Sequence, residues 1–503
     1  MKKSHKILFG VAAFVIFLII GVIALNSYLK SEVVKGLDKE FPASGLEYSE
    51  ISLNILGGNT TLTDPVLKIK GITIEAGNIK LKGFSYYNYF FKDEININHI
   101  QLISPNITID QSDTLEKNEE KDPVERTIKL QKFSTVGGSL KMVDNDTASN
   151  SLFLSLKEIV FLDILLGKEI DGDLLPFQYK TLEVDVDSVY YNMNAEHYIT
   201  VDAFKYLEDE LSIQQFNITP KFPKPEFDRQ LPYEKDWVAL EVDEVVLQDF
   251  SWSTERDSLI LKSSTTTISR ANAEIYRNKL LPDDKRIKPL YSELIRELGI
   301  KVEFDSIGIN DSRLIYQEKV DEERPSGELT FSNIKAKIEN LTNLNMSRED
   351  FPETKISATA LFMDQSQLTL NLNFDVKNKL DEFHVFGNLA EISADGINSF
   401  LIPAMNIEAE GRIESMAYNF YGNRNEAKGD MQLAYRGFKV NILKDGEQQR
   451  KSLLSRLANL IIKNDVADED VEQEEINTTR DKTKSFWNFL WLCIRDGALK
   501  TFF

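Results

Sequence analysis

Four histidines, one cysteine and two closely spaced pairs of carboxylates are the residues of this chain with chemistry to offer. His5, His99, His197 and His384 lie far apart, and none stands in a His-x-x-x-His or Cys-x-x-Cys spacing, so a zinc site is not expected. His99 and His384 fall within predicted strands and read as satisfied or solvent-facing side chains. Asp185 and Asp187 share one strand face, as do Glu408 and Glu410. Paired carboxylates can serve acid–base or metal chemistry, but alternating acids on a strand are ordinarily just its polar side. Gly57-Gly58 and Gly137-Gly138 lack the following lysine and serine or threonine of a phosphate loop, and read as turns or bulges. No Gly-x-Ser-x-Gly elbow occurs, nor a Ser-x-x-Lys with its companion motifs. Cys493 stands alone, which excludes an internal disulfide framework. The expectation is a protein that is not an enzyme and holds no cofactor and no metal.

What must be positioned, then, is a surface. Leu368, Leu370, Leu372, Phe374 and Val376 alternate with Thr369, Asn371, Asn373, Asp375 and Lys377. A period of two puts the apolar set on one face of a strand. Ile356, Ala358, Ala360 and Phe362 repeat the pattern, as do Met405, Ile407, Ala409, Gly411 and Ile413. One greasy face and one wet face mark an antiparallel sheet. The chain is predicted to be mainly β: a folded antiparallel sheet, elongated, with few short helices.

At 503 residues the chain has room for two or three ordinary domains or one long one, and 42% hydrophobic content permits a sizeable buried face. Eighty acidic against 59 basic residues give a net charge of -21. Such a surface repels nucleic-acid phosphates, so nucleic acid is excluded as a partner.

Residues 7–25 form an uncharged apolar run long enough to cross ~30 Å of hydrocarbon as a helix. Lys2, Lys3 and Lys6 precede it and favour residues 1–6 as a cytoplasmic tail. Ala24-Leu25-Asn26 is a poor cleavage site, so an uncleaved single-pass anchor is expected, with the rest exported. Residues 27–41 continue as a short amphipathic helix stopped near Pro42. Short strands follow, punctuated at Gly57-Gly58, Asp64-Pro65, Gly71, Ala76-Gly77-Asn78 and Ser104-Pro105. Residues 111–123 read as a solvated loop, and Pro220, Pro223 and Pro225 interrupt the sheet and mark a boundary. That divides the strands into 42–225 and 226–448. Residues 287–298 are the best internal helix candidate, with Leu290, Leu294, Ile295 and Leu298 on one face. Residues 449–463 carry leucines at helical spacing, 464–484 read as an acidic disordered linker, and 485–503 as an aromatic helix. In that last helix Phe486, Trp487, Phe489, Trp491, Phe502 and Phe503 suit either a membrane interface or docking that closes the end of the sheet.

Residues 79–86 and 90–109, with their alternating isoleucines around Ser104-Pro105, resemble the N-terminal region of AsmA-like envelope proteins. Residues 299–343 and 383–444, including the stretch Ile307 to Tyr316, are similar to the periplasmic domains of the same family. The resemblance covers about half of the chain and involves strand and turn residues. It implies a location in the bacterial inner membrane, with the bulk of the chain in the periplasm. It also implies lipid handling or transport between the inner and outer membranes and support of outer-membrane biogenesis. Expected partners are phospholipid or other acyl chains, the inner membrane, and outer-membrane or other envelope proteins.

Two functions fit the alternation. In the first, the apolar face stays open as a groove for acyl chains, lined by Ile356, Phe362, Leu368, Leu370, Leu372, Phe374, Val376, Phe383, Val385, Ile407 and Ile413. In the second, the same residues fill closed β-sandwich cores, and the protein is an anchored structural or assembly factor for envelope proteins. Alternation alone does not separate them; a second layer over these residues would.

Overall fold

The structure is a computed structural model that describes residues 46–54, 57–69, 71–92, 94–110, 127–144, 149–167, 177–255, 258–443 and 472–502. The expected tail, anchor and amphipathic continuation, the loop at 111–123, the helix at 449–463, the first part of the acidic stretch and Phe503 lie outside those residues. Among the described residues, no helix is long and apolar enough to cross a membrane. The fold among the described residues is mainly β: 27 strands in a large mixed, mostly antiparallel sheet, with five short helices. These helices are α1 (Tyr86–Phe91), α2 (Lys224–Arg229), α3 (Tyr291–Arg296), α4 (Ala394–Met405) and α5 (Phe486–Phe502). Two compact units divide the chain: Met1–Phe216 with Val246–Leu261, and Asn217–Val245 with Lys262–Phe503.

The prolines expected to interrupt the sheet do something more local. Strand Glu210–Pro220 runs up to the first of them, and Pro223 and Pro225 start α2. A fixed φ and a missing N–H suit the first turn of a helix.

In the first unit the sheet is creased. Gly57-Gly58 and Gly71 reverse the chain in hairpins, joining Glu50–Asn54 to Asn59–Thr63 and Val66–Ile69 to Ile72–Glu75. Asp64-Pro65, Ala76-Gly77, Ser104-Pro105 and Gly137-Gly138, though equally turn-like in sequence, carry the chain from one leaf of the sheet into the other. Asn59–Thr63, Asn78–Lys82, Glu94–Ile103 and Thr127–Val136 pair in one leaf. Their continuations Val66–Ile69, Ile72–Glu75, Asn106–Asp110 and Ser139–Asp144 pair in the other. The long strand Ser149–Leu166 borders both leaves, its register slipping at Ser155–Glu158. A line of backbone hydrogen bonds follows the crease: Asp64 N–H donates to Gly77 O (3.0 Å), Gly77 to Ile103 O (2.9 Å), Ser104 to Val136 O (2.8 Å) and Gly137 to Lys157 O (2.8 Å). Left-handed backbone makes the bend, with φ of 48° at Asp64, 50° at Ser104, 64° at Gly137 and 111° at Gly138.

Creasing solves a burial problem. Ile97, Ile100, Leu102 and Leu130 of one leaf and Ile72, Ile74, Ile109 and Met142 of the other meet in a single core. Two pairs of neighbouring strands, one in each leaf, run parallel: Glu94–Ile103 with Thr127–Val136 and Asn106–Asp110 with Ser139–Asp144. The expected purely antiparallel sheet is corrected here. Parallel neighbours need a return connection of about a dozen or more residues, and residues 111–126 separate the first strand of each pair from the second.

The second unit contains a meander of antiparallel strands: Lys301–Lys319, Gly327–Thr342, Thr354–Phe362, Ser366–Phe374, Phe383–Leu389, Ile407–Gly422, Glu426–Ile442 and Glu472–Thr479. The last strand corrects the acidic linker: Glu472–Thr479 pairs along Glu426–Leu433. Its one large apolar residue, Ile476, is buried, which is too little apolar signal for the sequence to announce a strand. The helix expected over 287–298 shortens to α3. Leu290, Tyr291 and Ile295 pack inward, while Leu294 and Leu298 are exposed, so the predicted apolar face is half right.

A β-carbon at Gly138 would stand 2.3 Å from Pro105 O, on backbone already left-handed. Gly138→Val is expected to cost at least ~2 kcal/mol of unfolding free energy. Urea denaturation of the purified chain followed by circular dichroism checks this; an unchanged midpoint would mean that the crease tolerates side chains.

Candidate functional site

The predicted lining residues come together on one face of the second unit. Register sets them in rows across the strands. One row runs Ile307, Ile338, Ile356, Leu372, Val385, Phe420, Gly429, Ile476. The next runs Ile309, Ala336, Ala358, Leu370, Gly387, Tyr418, Met431. Beyond these lie Ala360, Leu368, Leu389, Met416 and Leu433, then Leu314, Phe331 and Phe362. Phe374 pairs with Phe383 at the opposite margin.

Ile407 and Ile413 reach the face by a less regular route. Met405, expected in their strand, is the last residue of α4, and Asn406 caps that helix with φ 56°. Bulges at Glu410/Arg412 and Ile413/Ser415 then slip the phase, so the inward set passes from Ala409 to Met416, Tyr418 and Phe420. Gly411, at φ 81°, permits the first bulge; a β-carbon there would stand 2.2 Å from Gly437 O.

The face is not uniformly open. Leu372, Phe374, Val376, Phe383 and Val385 are buried, at 9% exposure or less, in one core with Phe420, Met431, Phe486 and Phe489. Helix α5 lies over the last two strands, and its Phe486 and Phe489 meet the Phe383 ring edge-on at 5.3 and 6.1 Å. These five residues are therefore closed into a core, with Phe383 directly beneath α5, which corrects the expectation that they line an open groove. Phe486 and Phe489 are core residues and do not face a membrane interface, whereas Trp487 and Trp491 are exposed on the outer side of α5. Phe502 ends α5, and its side chain lies outside the description. Ile356, Phe362, Leu368, Leu370, Ile407 and Ile413 remain half-buried.

Glycines set how closely these layers approach, a signal the sequence held but alternation did not read. Gly422 lies under the Phe383 ring, where a β-carbon would stand 2.3 Å from Cζ. Gly387 lets Tyr418 reach across its strand, so the Tyr418 hydroxyl donates to Thr369 O at 3.1 Å, and burial pushes that phenol above its usual range. Gly497 seats α5 on the sheet, with Ile476 Cδ1 and Met431 Sδ 2.8 and 2.9 Å from the place of a β-carbon. Such glycines inside strands and helices mark close approach.

A polar clamp holds the segment before α5. Lys484 Nζ donates to Glu234 Oε1 at 2.8 Å and to Asp283 Oδ1 at 2.6 Å, and Lys279 Nζ donates to Glu234 Oε2 at 2.6 Å. Lys288 N–H donates to Lys482 O at 2.8 Å, and Arg480 donates to Lys288 O. Burial disfavours the Glu234 carboxylate, but the two ammonium hydrogen bonds outweigh it and hold its pKa below the usual range. Close to this clamp, buried Asp381 accepts from Arg296 (2.8 Å), Arg424 (2.7 Å) and Ser292 (2.9 Å).

The other candidates stay separate. Asp185 pairs with Lys157 at 2.9 Å, and Glu410 accepts from Asn441 at 2.6 Å. His99 Nε2 lies 2.8 Å from Ser134 Oγ, and His384 stacks on Tyr421 at 4.0 Å with Nε2 2.7 Å from Asn419 Oδ1. His197 is buried, and its N–H donates to Asn194 Oδ1. Among the described residues no group of three histidine, cysteine, aspartate or glutamate side chains could hold a metal ion. Neither the protein-family models nor the curated proteins contain a match to this chain.

Cys493 lies on the buried side of α5, and burial pushes its thiol up to about 11. As the chain's single cysteine it reports docking of the helix. Gly497→Leu is expected to speed reaction of Cys493 with a disulfide reagent at least about tenfold, the response to losing ~1.4 kcal/mol of docking free energy. Unchanged reactivity would show that α5 does not need the close approach. Acid should loosen the same helix. With a folded pKa below the unfolded value of about 4.3, Glu234 stabilises fully above that value and progressively less as pH falls through the folded one. Cys493 reactivity, normalised to free cysteine, is expected to rise below about pH 4, and Glu234→Gln to flatten that acid limb. An identical limb in the variant would remove Glu234 from the clamp.

Proposed function

We propose that this chain is an anchored envelope protein whose half-buried apolar face binds lipid acyl chains and passes them between membranes. One observation carries the reading. The rows that are buried in the second core continue across Lys301–Lys319, Gly327–Thr342, Thr354–Phe362 and Ser366–Phe374. There Ile309, Phe331, Ile338, Ile356, Phe362, Leu368 and Leu370 are only half-buried. Helix α4 packs on Gly327–Thr342 and Ile407–Gly422, yet these rows stay only half-buried, and a contiguous half-covered apolar surface on a protein of this charge is suited to an occupant. Moving an acyl chain from bilayer to groove exchanges one apolar surrounding for another. The ~0.8 kcal/mol that each methylene would lose to water is therefore retained on both sides, and the transfer is near neutral. Such a balance suits a carrier better than a tight store. The resemblance to AsmA-like proteins and the apolar run at 7–25 support an inner-membrane, periplasm-facing location.

The seal at Leu372 to Val385 favours a second reading, a non-lipid structural or assembly factor with closed cores. Native mass spectrometry of the full chain extracted in detergent separates the two. Co-purified phospholipid is expected, and Phe362→Asp with Leu368→Asp is expected to remove it. Because both sites are half-exposed, folding should weaken by no more than ~2 kcal/mol. Absence of lipid from the folded parent chain would leave the scaffold.

A further inference from the structure

Helix α1 of the first unit is aromatic on both sides. Tyr86 and Tyr89 turn inward and meet the buried Phe84 ring at 5.1 and 5.7 Å. Tyr87 and Phe91, one turn apart, point out at 63% and 77% exposure and lie 5.3 Å from each other. Nothing in the packing of the core requires this outer pair. Lys92 closes the helix with its ammonium 5.7 Å over the Tyr87 ring. Up to and through α1 the charge runs against the chain's -21: residues 78–92 hold Lys80, Lys82 and Lys92 and no acid, and of the acids Asp93 and Glu94 that follow, Glu94 is paired with Lys129 at 2.9 Å. Across the strands Lys82 pairs with His99, and His99 with Lys132, so a basic row lies at the end of the sheet from which α1 departs. Burial, then Lys132 and Lys82, depress His99 from its ordinary value, as expected beside like charges.

The tether has the right length. Twenty residues, 26–45, separate the apolar run from the first described strand, a reach of at most ~70 Å. Strand Glu50–Asn54 then leads to the Gly57-Gly58 turn, where Gly58 O accepts from Phe84 N–H at the start of α1. Five strand residues span only about 17 Å. The basic aromatic helix therefore lies within easy reach of whatever surface holds the anchor.

We propose that α1 is a second membrane contact, in which Tyr87 and Phe91 enter the interface of an anionic bilayer and Lys82, Lys92 and Lys132 meet its headgroups. Exposed aromatics flanked by lysines suit this layer, where rings sit among headgroups and ammonium groups face lipid phosphates. The inference rests on the anchored reading above. The test uses the full chain carrying Phe91→Trp in nanodiscs of phosphatidylcholine with 30% phosphatidylglycerol, with dibrominated acyl chains as quencher. Fluorescence beyond that of the parent chain is expected to be blue-shifted and quenched at least about twofold, and Lys82→Glu with Lys132→Glu is expected to abolish the quenching. A water-like, unquenched signal from chain that has entered the discs would overturn the proposal, as would quenching that the lysine changes leave intact. If the chain does not enter discs, the anchor reading falls instead. Co-sedimentation with vesicles of the same lipids then decides for α1, binding supporting it and its absence overturning it.

Discussion

A sheet with one apolar face must cover that face, and each part of this molecule can be understood by how it meets the requirement. Strand alternation concentrates leucine, isoleucine and phenylalanine on one side at the strand spacing of ~4.8 Å, so each strand added lengthens the surface to be hidden. Helices could hide it, but those of the described residues are short, and only α4 and α5 exceed one or two turns. Covering is therefore achieved piecemeal.

The first unit covers its face with itself. A crease at Asp64, Gly77, Ser104 and Gly137 folds the strands so that leaf meets leaf, and residues such as Ile100 and Ile97 are lost from solvent altogether. The left-handed residues are the cost of the bend, and the unbroken hydrogen bonds along the crease keep the backbone satisfied while it turns. The second unit uses a different device. Helix α5 roofs the final strands, held by glycine contacts beneath and by the lysine–carboxylate clamp before its first turn. The roof does not seal every row, and the rows beyond it are half-covered. The covered rows give stability; the half-covered rows are the surface on which the proposed lipid function would depend.

Much of this was legible in the sequence. The period-two pattern at residues 356–376 found the strands and their shared face, because the pattern reports which side is buried. It did not report what lies above that side, so buried Leu372 and half-buried Leu368 looked alike. Turn residues were seen but not their sense: Gly71 reverses a chain and Gly137 folds a sheet, and both are simply glycines at the end of an alternation. Strand Glu472–Thr479 was hidden by its acids, which say "solvated" whether or not the backbone is paired. The C-terminal aromatics divided by a rule that needs the docked helix: Phe486 and Phe489 point in, Trp487 and Trp491 point out.

The acidic last strand also bears on how an open apolar face can be tolerated. A sheet edge offers unpaired backbone groups to any neighbouring copy, and an adjacent greasy surface would reward such pairing. Glu475 on this strand is exposed, and Lys428 and Glu426 of its partner pair at 3.1 Å, so charge borders the sheet here. Like charge along the last strand opposes edge-to-edge addition while leaving the sheet's interior apolar. The chain's net charge of -21 extends the same protection over longer range, since copies repel before their exposed rows can meet. Against that background the lysines around α1 stand out as the place where the repulsion is relaxed, which is where an anionic surface could approach.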